Sequence, residues 1–433
     1  MTQSDISGEI AISRKLIAVP IPPGSGGVNR LAPLLKRALD GSGPAVAPMP
    51  TAPAGLVNLL TDAIKPDDPK FPLESPDIAV VCSTSGSTGN PRGVLLTASA
   101  ITASAHAFAH RFGKDFRWVM AMPAHRIAGI MVLTRAFLFG NPYVIDPSTG
   151  GARPFDPATF AVTTMQAVRE SKQDGRPLAV SLVPTQIGRL LESGSVGIEA
   201  LLSYDLVLSG AAATPQPMLN RLRELGVKVV ISYGMTETCG GCVYDGQTLN
   251  AVSISLGTKD DVEPGRITIS GPVIASGYRL RPDLDAVAFI ENKLITHDVG
   301  KLDQNGLLHV LGRLDDVVQV GGTNVSLSAV EAILRHHPAI SDVAVIDIAD
   351  DLWGSIPMAY IVLRDQTINR ANLSELIKQT VTDRIGRAAT PRSIEFVEHL
   401  PMLDSGKIDR LSLRISASED IASGKIKHPG AIS

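Results

Sequence analysis

Ser83-Thr84-Ser85-Gly86-Ser87-Thr88-Gly89-Asn90-Pro91-Arg92-Gly93 stands directly after an apolar run at 78–82 and ahead of an alanine-rich helical pattern. Every residue from Ser83 to Gly89 is serine, threonine or glycine, so the loop is rich in donors and almost free of side-chain bulk. Backbone N–H groups of such a loop can approach a polyphosphate closely, and the hydroxyls and Arg92 add charge-tolerant hydrogen bonds. It is not a Walker A loop. No Gly-Lys-Ser/Thr closes it, and Pro91 stands where that motif's helix would begin. A flexible linker is the plain alternative for a Ser/Gly/Thr cluster. The strand before it and the cation at its end favour a phosphate loop instead.

Outward from this loop, strand-like runs at 118–122, 143–145, 178–183, 206–208 and 228–232 alternate with helical patterns at 97–112, 157–170, 185–192 and 215–225. That alternation predicts an α/β fold with a largely parallel sheet and helices on its faces. Ligands bind beyond the carboxyl ends of strands in such sheets, and 83–93, 209–213 and 233–237 all stand there. Between 252 and 320 the pattern changes to short β segments at 266–270, 293–296 and 307–311. Beyond Gly321-Gly322, a helix at 328–336 stopped by Pro338, strands at 343–348 and 358–363, a helix at 373–385 and a strand at 393–397 predict a compact α+β unit. The expected division is a large domain over 1–314, with stacked α/β sheets and a β-rich subdomain, and a small mobile domain over 315–433. A loosely held tail is expected from about Ser416. The first 50 or so residues hold an amphipathic stretch at 29–39 between Pro/Gly-rich segments.

A chain of 433 residues exceeds what one hydrophobic core usually serves, and a hydrophobic content of 44% suits sizeable cores. Forty Lys+Arg against 43 Asp+Glu leave a formal charge of −3, so nothing favours nucleic acid or an anionic membrane. Cys82, Cys239 and Cys242 are too few for a disulfide framework. Cys239-Gly-Gly-Cys242 has neither a second pair nor a nearby histidine to support zinc, and it opens no helix as a redox motif would. With no basic-then-apolar leader and no run of 18 apolar residues, a soluble cytoplasmic protein without a membrane span is expected.

Four further segments carry chemistry. In Ser232-Tyr233-Gly234-Met235-Thr236-Glu237-Thr238, Tyr233 offers an aromatic face for a base, Thr236 can bond a phosphate, and Glu237 supplies a hard oxygen for Mg²⁺. Ser209-Gly210-Ala211-Ala212-Ala213 is small-residue backbone against which a flat ring can lie, though tight helix–sheet packing explains it nearly as well. Asp298 is a natural bidentate acceptor for a ribose diol, and Arg313 can add a charged contact to sugar or phosphate. Each is also commonplace on a β-turn. Lys407, in Pro401-Met402-Leu403-Asp404-Ser405-Gly406-Lys407-Ile408, sits on a glycine-hinged loop; a lone lysine is ordinarily a solvated side chain.

In this order the segments resemble the adenylate-forming superfamily of acyl- and aryl-CoA synthetases, adenylation domains and luciferases, over about residues 75–412. The resemblance implies that Ser83, Thr84, Ser85, Gly86, Ser87, Thr88, Gly89 and Arg92 belong to the phosphate loop. Gly210, Ala211 and Ala212 with Tyr233 would form the adenine site, and Ser232, Gly234 and Met235 would also bind the nucleotide. Thr236 and Glu237 would contact the α-phosphate and Mg²⁺, Asp298 and Arg313 would hold the ribose, and Lys407 would serve the first half-reaction. Asp315 falls on the family's hinge and Gly321-Gly322 on its thiol-tunnel loop. Arg92 stands where a lysine is usual, which keeps the charge but changes donor geometry.

Within the superfamily, Met122-Pro123-Ala124-His125-Arg126-Ile127-Ala128-Gly129, the run Thr236 to Gly246 and a short N-terminal region are similar to o-succinylbenzoate–CoA ligases of menaquinone biosynthesis, particularly actinobacterial ones. What this implies is an ATP- and Mg²⁺-dependent acid–thiol ligase that forms an acyl-AMP and then an acyl-CoA. Its acid would meet His125, Arg126 and Gly234. Its partners would be a carboxylic acid, ATP and CoA, and a homodimer is compatible with the reading. The rivals are a ligase for another aryl or fatty acid, a protein that loads a carrier-protein thiol, and a non-catalytic acyl-AMP sensor. A sensor would have no need of Lys407.

Overall fold

The computed structural model of the chain describes residues 14–84, 91–149, 155–257, 263–350, 353–403 and 407–423. Among them the strands form four sheets. In the first, Leu16–Ile21, Ala45–Pro50 and Ile78–Thr84 run parallel. Arg92–Thr97 then folds back antiparallel on Ile78–Thr84, pairing Thr84 with Arg92, and Gly277–Tyr278 closes the edge. The apolar run before the serine-rich loop is therefore one arm of a hairpin, and the expected helix starts only at Ala98, after the second arm.

The second sheet holds the alternation read from the sequence. Val229–Met235, Leu206–Ser209, Leu178–Leu182, Arg117–Met120 and Tyr143–Ile145 are parallel neighbours, and Gly240–Tyr244 adds an antiparallel strand beside Val229–Met235. The helix Pro157–Asp174 shows how sequence sets its bounds. Asp156 accepts from the Ala158 and Thr159 amides, Pro157 pre-sets the first turn, and Gly175 ends it in the left-handed region.

Side chains alternate across each strand, so the two faces of this sheet have separate cores. On one face Trp118 and Met120 join Leu31 and Leu35 of Ser25–Leu39, Phe108 of Ala98–Phe112 and Leu133 of Ile127–Phe139. On the other, Val119 packs with Phe160, Leu190, Leu201 and Leu222 from four further helices. Ile127–Phe139 is buried through most of its length, as its largely apolar sequence requires, and even Thr134 and Arg135 are buried within it.

A third, antiparallel sheet runs through Ser253–Ser255, Gly265–Ser270, Lys293–Leu302 and Leu308–Arg313. The fourth joins Thr323–Ser326, Val317–Val320, Gly354–Leu363 and Ile340–Asp350, with Ser393–Val397 parallel to Gly354–Leu363. The short turn Leu314–Asp316 lies between these two sheets. No core cluster among the described residues combines residues from both sides of that turn.

One correction concerns the end of the chain. The helix Arg410–Ala422 takes in 416–422, the start of the segment expected to be loose, and is capped by Asp409, whose side chain accepts from the Ser412 amide; 424–433 lie outside the described residues. Leu413 and Ala417, one helical repeat apart, are buried against Ile346, Ile348 and Tyr360.

Candidate active site

The loop residues Ser85, Gly86, Ser87, Thr88 and Gly89 lie outside the described residues. Their flanks are placed. Ser83 is buried, and among the described residues its hydroxyl finds no hydrogen-bond partner. Arg92 stands over the ring of Tyr278, 5.7 Å from its centroid. The Tyr278 hydroxyl donates to Glu237 Oε1 at 2.9 Å. Burial, then the Glu237 carboxylate, push the Tyr278 phenol well above its usual range, with Arg92 opposing them, so it remains a donor. Tyr278 was missed in the sequence, where nothing marks it apart from any other strand tyrosine.

Glu237 lies in the turn Thr236–Thr238, directly after Val229–Met235. The turn is tied down: Thr238 Oγ1 accepts from the Met235 amide at 2.9 Å and donates to the Gly240 carbonyl at 2.7 Å. The Ala275 amide donates to the Glu237 carbonyl at 2.8 Å, holding the turn against the segment that carries Tyr278. Tyr233 and Gly234, expected beyond the strand end, lie inside the strand because Gly240–Tyr244 extends its pairing. At Gly234 an added Cβ would come 2.1 Å from the Gly240 carbonyl oxygen, so only glycine fits. Gly210 follows Leu206–Ser209 and faces Ser232 of the neighbouring strand; Ala211, at φ 65°, and Ala212 are exposed beside it.

Asp298 and Arg313 are cross-strand partners, with Arg313 Nη1 3.3 Å from Asp298 Oδ1. Tyr233 donates its hydroxyl to Asp298 Oδ2 at 2.7 Å. Burial first and the Asp298 charge second raise the Tyr233 phenol, which keeps this donor protonated. A carboxylate has about four lone-pair sites, so Asp298 retains acceptor capacity for a diol.

Lys407 is brought to the same place from a distant part of the chain. Its side chain borders solvent, yet protein crowds the ammonium. That crowding, with Arg313 and Arg126, holds its pKa below the usual lysine range, while Glu237 and Asp298 pull the other way. Arg126 is half-buried at the N-cap of Ile127–Phe139, and His125 beside it is buried. The Arg126 charge also reaches Cys82, whose Sγ lies 3.9 Å from the His125 carbonyl. The charges of Glu237, Asp298, Arg313 and Arg126 thus all reach Lys407, and the space they border is the candidate cleft.

Beneath it lie Cys82, Cys239 and Cys242, all free and buried. Burial pushes Cys82 and Cys242 up to about 12, and Cys239 rises further beside the other two.

Gly321 and Gly322 form the turn between Val317–Val320 and Thr323–Ser326, at φ 55° and 82°. A Cβ on Gly321 would strike the Trp353 ring at 2.5 Å. Among the described residues, no hydrogen bond or ring contact links this turn to the cleft. Asp315 lies in the turn Leu314–Asp316 that separates the third and fourth sheets.

The AMP-binding enzyme family matches residues 34–279, and the family of AMP-binding enzyme C-terminal domains matches 329–407. A probable 2-succinylbenzoate–CoA ligase of Mycobacterium tuberculosis is 37% identical over 402 residues, which cover 92% of this chain and 97% of that protein. The 2-succinylbenzoate–CoA ligase of Bacillus subtilis is 30% identical over 354 residues, 78% of this chain and 68% of that one. Among solved structures, the o-succinylbenzoate CoA synthetase of B. subtilis in complex with its acyl-adenylate has a TM-score of 0.69 at 24% identity, covering 93% of this chain and 89% of that one. ATP-bound MatB of Rhodopseudomonas palustris has a TM-score of 0.77 at 21% identity, covering 94% and 89%. No helix among the described residues is long and apolar enough to cross a membrane. Matched over more than half its length, with a strand-end turn that brings a carboxylate beside a tyrosine-braced aspartate, the chain belongs to the AMP-binding enzyme family.

Proposed function

We propose that the protein is an AMP-forming 2-succinylbenzoate–CoA ligase of menaquinone biosynthesis. One observation carries the reading most. Lys407, from the C-terminal part of the chain, lies within electrostatic reach of Glu237, Asp298, Arg313 and Arg126. The substrate follows from the relatives named for this activity and from the cation that Arg126 brings to the cleft.

In the first step a carboxylate oxygen attacks the α-phosphorus of ATP, forming the acyl–phosphate bond as pyrophosphate leaves. Three negative phosphates and a carboxylate must come together, so the chain's contribution is positioning and charge neutralisation. Lys407 and Arg92 supply cations on the phosphate side. Thr236 binds an α-phosphate oxygen, and Asp298 with Arg313 fixes the ribose. Glu237 fits Mg²⁺, which commonly takes one or two carboxylates plus substrate phosphates. Tyr278 bonds only Oε1, so Oε2 can serve as the ligand. Bound there, Mg²⁺ supplies neutralisation of phosphate charge. In the second step the CoA thiolate attacks the acyl carbonyl, and AMP departs as the acyl–phosphate bond breaks.

The working division is 1–314 and 315–433, with the smaller unit turning about Asp315 to exchange Lys407 for the Gly321-Gly322 turn. The separate cores on either side of Leu314–Asp316 support this reading. Dependence on ATP and CoA fits a cytoplasmic location.

The test is pyrophosphate release and thioester formation with ATP, Mg²⁺, CoA and a panel of acids. 2-Succinylbenzoate should be the best substrate, and an analogue lacking the aromatic carboxylate should be poor. Equal use of the two would replace this reading with that of a general acyl-CoA ligase.

A further inference from the structure

Lys407 stands beside Ile408, which packs against the apolar cluster that holds Leu400 and Leu413. The Leu403 amide donates to the Lys407 carbonyl at 2.8 Å, Met402 bridges Ile408, and the Asp409 amide donates to the Pro401 carbonyl at 2.8 Å. These bonds close a small hairpin on itself. They do not fix where it points.

A polar attachment comes three residues further on. Arg410 opens the helix Arg410–Ala422 and donates through Nη2 to Glu331 Oε1 at 2.6 Å. Glu331 is buried in the helix Leu327–Arg335. Its Oε1 also accepts the Val345 amide at 2.8 Å, and its Oε2 lies 3.2 Å from Arg335 Nη2. One buried carboxylate therefore joins Leu327–Arg335, Ile340–Asp350 and the first residue after the lysine hairpin. The charges of Asp316, in the turn between the third and fourth sheets, and of Asp342 also reach the Arg410 guanidinium. A buried carboxylate with every oxygen engaged is a rigid anchor, because any displacement leaves charge uncompensated.

We infer that Arg410 and Glu331 are positioning residues for adenylation: their ion pair fixes the Lys407 hairpin to the core of the C-terminal unit, so the ammonium moves only as that unit moves. The inference rests on the role given to Lys407 above.

The test is a pair of single-turnover assays on the full chain, acyl-AMP formation from ATP and acid, and thioester formation from pre-made acyl-AMP and CoA. Arg410→Met should slow the first by about 10- to 100-fold, the effect of misplacing a catalytic group by about 1 Å, and leave the second essentially unchanged. Glu331→Gln keeps the size and the Val345 bond, and should reproduce the loss in milder form. Arg410→Lys should restore part of the rate. In a Lys407→Ala background, Arg410→Met should have no further effect on adenylation, an outcome that a merely structural role would not give. Equal slowing of both half-reactions, or losses that multiply with Lys407→Ala, would overturn the inference and leave the function intact. Normal adenylation by Lys407→Ala alone would remove the role of the lysine, and the positioning role with it.

Discussion

Arg126 sits where two demands meet. A diacid activated at one carboxylate must hold the other unreacted, and an unpaired anion in an apolar pocket costs several kcal/mol. Arg126, half-buried at a helix N-cap and within electrostatic reach of Lys407, can supply the cation. Arg126→Ala should raise KM for the diacid by about 10- to 100-fold, the worth of a charged hydrogen bond of about 1.5–3 kcal/mol, and leave KM for ATP nearly unchanged. The pH profile gives a second readout. Arg126 is one of the cations lowering the Lys407 pKa, so its removal should keep the ammonium protonated to higher pH and move the alkaline limb of adenylation upward. An unaltered KM for the diacid in steady-state kinetics would end the assignment.

At the level of elements, the decisive contact is the strand pair that carries the strand-end turn. Gly234 faces Gly241 across it, and no side chain fits between Gly234 and the Gly240 carbonyl. Gly234→Ala should therefore lower stability by about 1–3 kcal/mol in denaturant unfolding and cut activity, because the strand must move and Glu237 with it. Unchanged stability would mean the pair can part without cost. The sequence made the parallel strands and their helices legible because apolar runs and amphipathic stretches alternate there. Arg92–Thr97 escaped because a short apolar run that merges into a helical pattern has no period of its own. Ile127–Phe139 is only weakly legible because a largely apolar helix, with Thr134 and Arg135 buried too, gives little 3.6-residue signal. At the site, the ordered motifs marked Glu237, Asp298 and Arg313 as candidates, while Tyr278 stayed hidden. Its bond to Glu237 joins residues 41 apart in sequence, and only the sheet edge at Arg92–Thr97 brings them together.

For the whole molecule, the question is how one cleft serves two reactions. The cores on either side of Leu314–Asp316 share no cluster, so rotation there need not break apolar packing. Asp315→Pro fixes φ near about −65° at the proposed pivot. Acyl-AMP formation should stay near normal in this orientation of the chain, and transfer to CoA should fail. Single-turnover rates unchanged in both steps would move the pivot elsewhere. The chain's three cysteines bear on the same chemistry. An acyl-adenylate is an electrophile that any nearby thiolate can intercept, and Cys82, Cys239 and Cys242 all lie under the cleft. With burial pushing Cys82 and Cys242 up to about 12, both stay protonated at neutral pH. Burial thus protects the enzyme from acylating itself and leaves the incoming CoA sulfur without a competitor.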